Sequence, residues 1–174
     1  LDVRNLAEFS FVSPVVEDRP TIYQNALKKA MEVAAQVNHW VLADDTALEV
    51  EVLGGAPGVR SARYSGPNAT YESNVRKLLA ELDTIPLDKR TALFRTVVAL
   101  RTGSGVHLHE GVLHGRIAMS PRGHHGFGYD PVFELPDGRT LAEIELAEKN
   151  RISHRAQALQ RARRLLEWLI KTKL

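Results

Sequence analysis

The stretch that most limits what this chain can become is residues 41–66, VLADDTALEVEVLGGAPGVRSARYSG. It opens as an apolar run and halts at two adjacent carboxylates, Asp44 and Asp45. An apolar run ending in acids predicts a buried strand over residues 41–43 whose end emerges at a sheet edge, where open α/β sheets bind ligands. Residues 48–53 alternate apolar and acidic side chains, as a half-exposed strand does. The following Gly54-Gly55-Ala56-Pro57-Gly58 has to be a tight loop, because glycine permits positive φ and proline fixes a turn.

Helical spacing recurs in three places. After Thr21, a suitable N-cap, Ile22, Ala26, Ala30, Val33 and Val37 share one face. Asn25, Lys28, Lys29 and Glu32 fall on the other, whose simplest reading is a solvated surface. Residues 70–82 place Val75, Leu78, Leu79 and Leu82 on one stripe and stop before Pro86. Residues 153–171 align Ala156, Leu159, Ala162, Leu166, Leu169 and Ile170, with Ser153 as N-cap. Between the second and third helices, residues 91–102 are rich in β-formers, and Gly103-Ser104-Gly105 joins them to residues 106–118 as a hairpin. Residues 121–140 read as a glycine-crowded loop around Phe127-Gly128-Tyr129-Asp130, which predicts aromatic rings presented rather than buried, then a short strand and a Pro-Asp-Gly turn.

Composition excludes several functions. A chain of 174 residues suffices for one domain with its own core. With no cysteine, thiol catalysis, zinc–thiolate sites and disulfides are out, which fits a reducing cytoplasm. The 23 Lys and Arg against 21 Asp and Glu leave a formal charge of +2, too small for a nucleic-acid-binding field. Arg161, Arg163 and Arg164 have no interleaved aromatics and read as the wet face of the last helix. No apolar run approaches membrane-spanning length. His107 and His109, two apart on one strand face with His114 nearby, have a spacing metals can use but no third-ligand pattern, and read as polar strand residues.

The polar residues that punctuate element ends are Glu17, Asp44 and Asp45 on the acidic side and Lys29, Lys149, His154 and Arg155 on the basic side. Together they suit a magnesium nucleotide. Magnesium prefers a few carboxylate oxygens plus water and phosphate, and Glu17 with Asp45 supply such oxygens. Basic side chains would then neutralise phosphates or donate to a base edge. Paired acids at strand ends also occur as caps and turn residues, so spacing alone leaves both readings open.

Residues 41–66 closely resemble the central signature of the inosine and xanthosine triphosphate pyrophosphatases, enzymes that hydrolyse non-standard purine nucleoside triphosphates to the monophosphate and pyrophosphate. QNALKKA at residues 24–30 resembles that family's phosphate-side helix. GFGYDP at residues 126–131 and EKNRISHRAQAL at residues 148–159 resemble its two base-recognition segments. Four motifs in the family's order cover nearly the whole chain.

The resemblance implies an α/β fold with a mixed central sheet flanked by helices, in two lobes around an active-site cleft. It implies Mg2+ as cofactor, a homodimer in the cytoplasm, and ITP, dITP and XTP as substrates. Asp45 would be general base and metal ligand, Glu17 the second ligand and Asp44 their neighbour. Asn25 and Lys29 would face the phosphates, and Thr46 the nucleotide. Phe127, Gly128, Tyr129 and Asp130 would wall the base pocket, Tyr129 by stacking, with Lys149, His154 and Arg155 reading the base edge. The family's opening strand, with a Thr-Gly-Asn loop and a lysine just beyond, does not occur in residues 1–174. The expectation is therefore one domain lacking the first strand and helix, with an inactive nucleotide-binding or interaction protein as the alternative for a chain that starts at Leu1. Thr46-Ala47 replaces the family's frequent Ser-Gly, Gln24 its Glu, and Arg19 its usual glycine, changes that bear on fine substrate contacts.

Overall fold

A computed structural model describes residues 2–172; the expectation tied to Leu1 lies outside the described residues. The chain runs α1 (Ile22–Ala34), β1 (Val41–Val50), β2 (Pro57–Gly58), α2 (Tyr71–Glu81), β3 (Thr91–Thr102), β4 (Gly105–Ile117), β5 (Phe133–Glu134), α3 (Leu146–Ile152) and α4 (His154–Thr172). The strands form a sheet in the order β2-β1-β3-β4-β5. The α/β class expected from the sequence holds. Within it the sheet is antiparallel at each described pairing rather than mixed. A parallel neighbour needs a long crossover, and here β3 turns straight back into β4 through Gly103-Ser104.

The helix starts follow their caps. Thr21 accepts a hydrogen bond from the Gln24 amide, Thr70 and Ser73 form a reciprocal capping box, and the Ser153 hydroxyl accepts from the Ala156 amide at 3.1 Å. α1 buries Ile22, Ala26, Ala30 and Val33 against β1 and β3. It also buries Asn25, at 1% exposure, which overturns the solvated-face reading for that residue. α2 packs Val75, Leu78 and Leu82 into the largest core cluster, with Phe94, Ile117 and Phe133.

The acids do not end a strand. The two short strands expected on either side of them are one strand, β1, which holds register with β3 from Val41↔Arg101 to Val50↔Ala92. Asp44 and Asp45 sit mid-strand because each is met by a cation from a different helix, described below. Beyond the Leu48 and Glu49 pairing with β2, β1 has β3 as its one partner among the described residues, so both acids do lie at a sheet edge.

The last helix, α4, starts after Ser153 as expected, and a short helix, α3, precedes it. Ser153, extended at φ −64°, ψ 154°, separates α3 from α4. The face α4 buries is Ala158, Ala162 and Leu169; Leu159, expected in the stripe, is exposed. Small residues are needed because α4 lies on β4 at Gly111, where an added Cβ would stand 2.0 Å from the His154 carbonyl. No described helix is long and apolar enough to cross a membrane.

Candidate active site

Adjacent residues of a strand point to opposite faces, and the Asp44–Asp45 pair uses this. Asp45 faces α1. Its Oδ1 lies 3.0 Å from Lys29 Nζ, which also donates to Glu17 Oε1 at 2.6 Å. Glu17 is fixed through its backbone, whose carbonyl accepts from Arg63 Nη2 at 3.1 Å. Burial raises the Asp45 carboxyl above the usual carboxylate range, with the Lys29 charge and hydrogen bond pulling against the rise and Glu17 adding to it. Burial also opposes the Lys29 charge, but the bonds and charges of Glu17 and Asp45 outweigh it and hold the ammonium pKa above normal. Asn25 accepts from the Arg19 amide at 3.0 Å, while its buried Nδ2 has no hydrogen-bond partner among the described residues.

Asp44 faces α4. Its Oδ2 accepts from Arg155 Nε at 3.0 Å, and Arg155 Nη2 reaches Thr46 Oγ1 at 3.4 Å. Thr46 in turn shares a 2.7 Å hydrogen bond with the buried Thr96 of β3. Around this row stand the α3 and loop residues. Lys149 pairs with the buried Asp130, whose Oδ2 also accepts from the Phe127 amide at 2.7 Å. That closed turn requires Gly126, since a Cβ there would meet Asp130 Oδ2 at 2.1 Å with φ at +77°.

The two aromatic residues of the loop have different fates. Phe127 is 52% exposed, with Lys149 Nζ 4.8 Å and Arg155 Cζ 5.7 Å from its ring centroid. Tyr129 is 5% exposed, and its hydroxyl donates to the Ser61 carbonyl at 2.9 Å. Tyr129, expected to stack, is committed to the core, whereas Phe127 presents its ring to the cleft. Gly128, at φ +65°, is the hinge between the two rings.

His154 is 6% exposed and stacks on Phe94, centroids 4.6 Å apart and planes within 19°. Burial, with the charges of Arg155 and Lys149, lowers its pKa to about 3, so the ring is neutral at pH 7. Its Nδ1 has no partner among the described residues. Neutral imidazole carries one donor and one acceptor nitrogen.

Both sides of β1 open into one cleft of about 780 Å³. It takes in all the residues expected to act except Asn25, which sits behind Asp45, and adds Tyr71, Asn74, Phe94 and Leu146. Sequence reasoning missed Phe94, the platform for His154, and Thr96, the anchor of Thr46. Neither carries a local signal: both are ordinary β-formers in a long strand.

The donor set at Glu17 and Asp45 fits a hard divalent cation. Two carboxylate oxygens from separate elements already converge on one positive charge, the Lys29 ammonium. Among the described residues no three His, Cys, Asp or Glu side chains gather as a metal cage, so other ligands would be water and substrate oxygens, as magnesium prefers. His107 and His109 likewise form no such group, and their Nε2 atoms are buried.

A fold that brings a carboxylate–ammonium cluster and an exposed ring flanked by cations into one cleft defines a nucleotide-handling α/β protein. Comparison with known proteins narrows the class: the chain belongs to the Ham1 family, which it matches over residues 1–165. It is 46% identical over 168 residues to the dITP/XTP pyrophosphatase of Bacillus subtilis, spanning 95% of this chain and 85% of that protein. The solved Ham1 protein of Staphylococcus aureus superposes with TM-score 0.87 at 36% identity, covering 93% of this chain and 84% of that one. The HAM1 protein of Coxiella burnetii gives 0.86 at 42% identity, covering 92% and 83%.

Proposed function

We propose that residues 1–174 act as one nucleoside triphosphate pyrophosphatase domain, hydrolysing ITP, dITP and XTP to the monophosphate and pyrophosphate and so keeping deaminated purines out of DNA and RNA. The observation that carries this reading is the two-sided cleft: an acid–ammonium cluster on the α1 side of β1, and Phe127 with Lys149, His154 and Arg155 on the α4 side. Relatives near 45% identity that bear the name dITP/XTP pyrophosphatase support it.

Asp45 would orient the attacking water and accept its proton. A carboxyl lifted by burial is a better base than one in water, and it still needs the water held in place. The water oxygen bonds to the α-phosphorus as the bridging bond to the β-phosphate breaks, and pyrophosphate leaves with both electrons of that bond. Mg2+, held by Glu17 and Asp45, would supply charge neutralisation and a polarised water. Lys29 would neutralise the phosphate chain.

Phe127 would stack on the purine. The ammonium of Lys149 and the guanidinium of Arg155 are donors without acceptor capacity. Aimed at a 6-keto oxygen, they are satisfied by hypoxanthine or xanthine. Adenine's 6-amino group would set donor against donor and leave buried polar groups unpaired. Asp44 would keep Arg155 aimed, and Thr46 would meet the nucleotide beside it.

A homodimer in the cytoplasm completes the proposal; absence of cysteine fits the compartment, and sedimentation tests the dimer. The activity test is pyrophosphate release from ITP, dITP, XTP, GTP and ATP, with Mg2+ and with chelator. Turnover of the first three in Mg2+ alone, with ATP far behind, is expected. Equal use of ATP, or full activity in chelator, would overturn the reading.

A further inference from the structure

Lys29 Nζ stands at the meeting point of the Glu17 and Asp45 carboxylates, the two groups proposed above to hold the cation. Its contacts of 2.6 and 3.0 Å put the two oxygens no more than 5.6 Å apart, the sum of the two. Magnesium bonds oxygen at roughly 2.0–2.1 Å, so an ion bound to both carboxylates would take the space the ammonium fills. Two like charges do not share that space.

The backbones that carry the two carboxylates are held independently of Lys29. Asp45 belongs to the ten-residue register of β1 on β3. The Glu17 segment is tied by Lys28 Nζ to the Val16 carbonyl and to Asp18, each at 2.8 Å, and by Arg63 to the Glu17 carbonyl. The Lys29 backbone is equally fixed, because Ala26 and Ala30 on either side are fully buried against the sheet. The side chain lines the cleft, and its two ion pairs with Glu17 and Asp45 are what a turn would have to break.

We propose that Lys29 is an exchangeable counter-ion: its ammonium and the divalent cation hold the Glu17–Asp45 pair alternately, and the displaced ammonium swings into the cleft towards the substrate phosphates. The proposal rests on the cation reading given above. It makes Lys29 a positioning residue before substrate binds and a phosphate ligand after. It also keeps a cation, the singly charged ammonium or the doubly charged metal ion, against the two neighbouring carboxylates at every stage.

The test uses the full chain with Mn2+ as probe. Electron paramagnetic resonance gives its affinity for the wild type, Lys29→Met and Asp45→Asn. Acylation of Lys29 by acetic anhydride, read by peptide mass spectrometry, is compared with and without saturating Mg2+. Exchange predicts that Lys29 in the wild type is acylated several-fold faster with Mg2+ than without. It also predicts that Lys29→Met binds Mn2+ about tenfold more tightly, since competition is relieved, and that Asp45→Asn loses the site. The acylation arm needs no variant to fold. If Asp45→Asn abolishes Mn2+ binding while Lys29 acylation ignores Mg2+, the site stands and the exchange is wrong. Should Mn2+ bind the wild type and Asp45→Asn alike, the cation reading falls, and the exchange with it.

Discussion

Asp44 and Asp45 are neighbours in the chain that serve opposite faces of β1, Asp44 paired with Arg155 of α4 and Asp45 with Lys29 of α1. The pair therefore places one carboxylate on each side of one cleft. Substitution should separate the two duties. Asp45→Asn is expected to lower kcat at least about a hundredfold, the scale of losing a general base, with the fold kept. Asp44→Asn should act mainly on KM, raising it about tenfold through a loosened Arg155, the order of a charge-assisted contact. Steady-state kinetics on dITP checks both; an active Asp45→Asn enzyme would remove the base assignment.

How much of this was legible in the sequence depends on range. The helix starts at Thr21, Thr70 and Ser153 and the Gly103-Ser104 turn are local signals, and they stand. The length of β1 was not legible. Two acids normally end an apolar run, and what carries the strand through them is Lys29, 16 residues away from Asp45, and Arg155, 111 residues away from Asp44. Asn25 has the same cause: its burial follows from how α1 packs on β1 and β3, which its neighbours in sequence do not show. Of the site residues, element ends supplied Glu17, Asp44, Asp45, Lys29, Lys149, His154 and Arg155; motif resemblance added Asn25, Thr46 and the loop from Phe127 to Asp130 and the separate roles, and the structure places Asp45 and Asp44 on opposite faces of β1.

Phe127 and Tyr129 have the same local setting, each beside glycine, and a contact 68 residues distant, Tyr129 to Ser61, decides which ring is buried. Phe127→Ala should raise KM for purine triphosphates by about ten- to a hundredfold, the scale of one base stack, with little change in Tm. Tyr129→Phe should leave KM nearly unchanged and cost about 1 kcal/mol of stability from one buried hydrogen bond. Kinetics and thermal melts on both variants distinguish these outcomes; a KM effect confined to Tyr129→Phe would reverse the assignment.

Arg90 is a buried cation with a purely structural duty. At 2% exposure it donates to the carbonyls of Leu82, Ile85 and Ala118, tying the end of α2 to the segment after β4. Arg90→Met fills the space but takes a donor from the Leu82, Ile85 and Ala118 carbonyls, of which Leu82 keeps the Ile85 amide. A loss of about 2 kcal/mol or more is expected, at roughly 1 kcal/mol or more for each of the two carbonyls left without a partner. Denaturant melts read it directly, and kcat per folded molecule should not change.

His154 couples the site to acid stability. Its pKa lies near 3 in the folded protein against 6.5 for a free imidazole, lowered first by burial and then by Arg155 and Lys149. The sign follows from proton counts. Between pH 6.5 and 3 the unfolded chain holds a proton on this ring that the native chain refuses, so stability from this group is complete above pH 6.5 and drains away as pH falls towards 3. The slope contributed is at most about 1.4 kcal/mol per pH unit. Replacing the ring by Phe keeps the contact with Phe94 and removes the titration, so His154→Phe should flatten the pH profile of unfolding free energy across that window while weakening substrate binding. Chemical denaturation at pH 7, 6, 5 and 4 on both proteins measures it, and parallel profiles would show that His154 takes up its proton in the folded state.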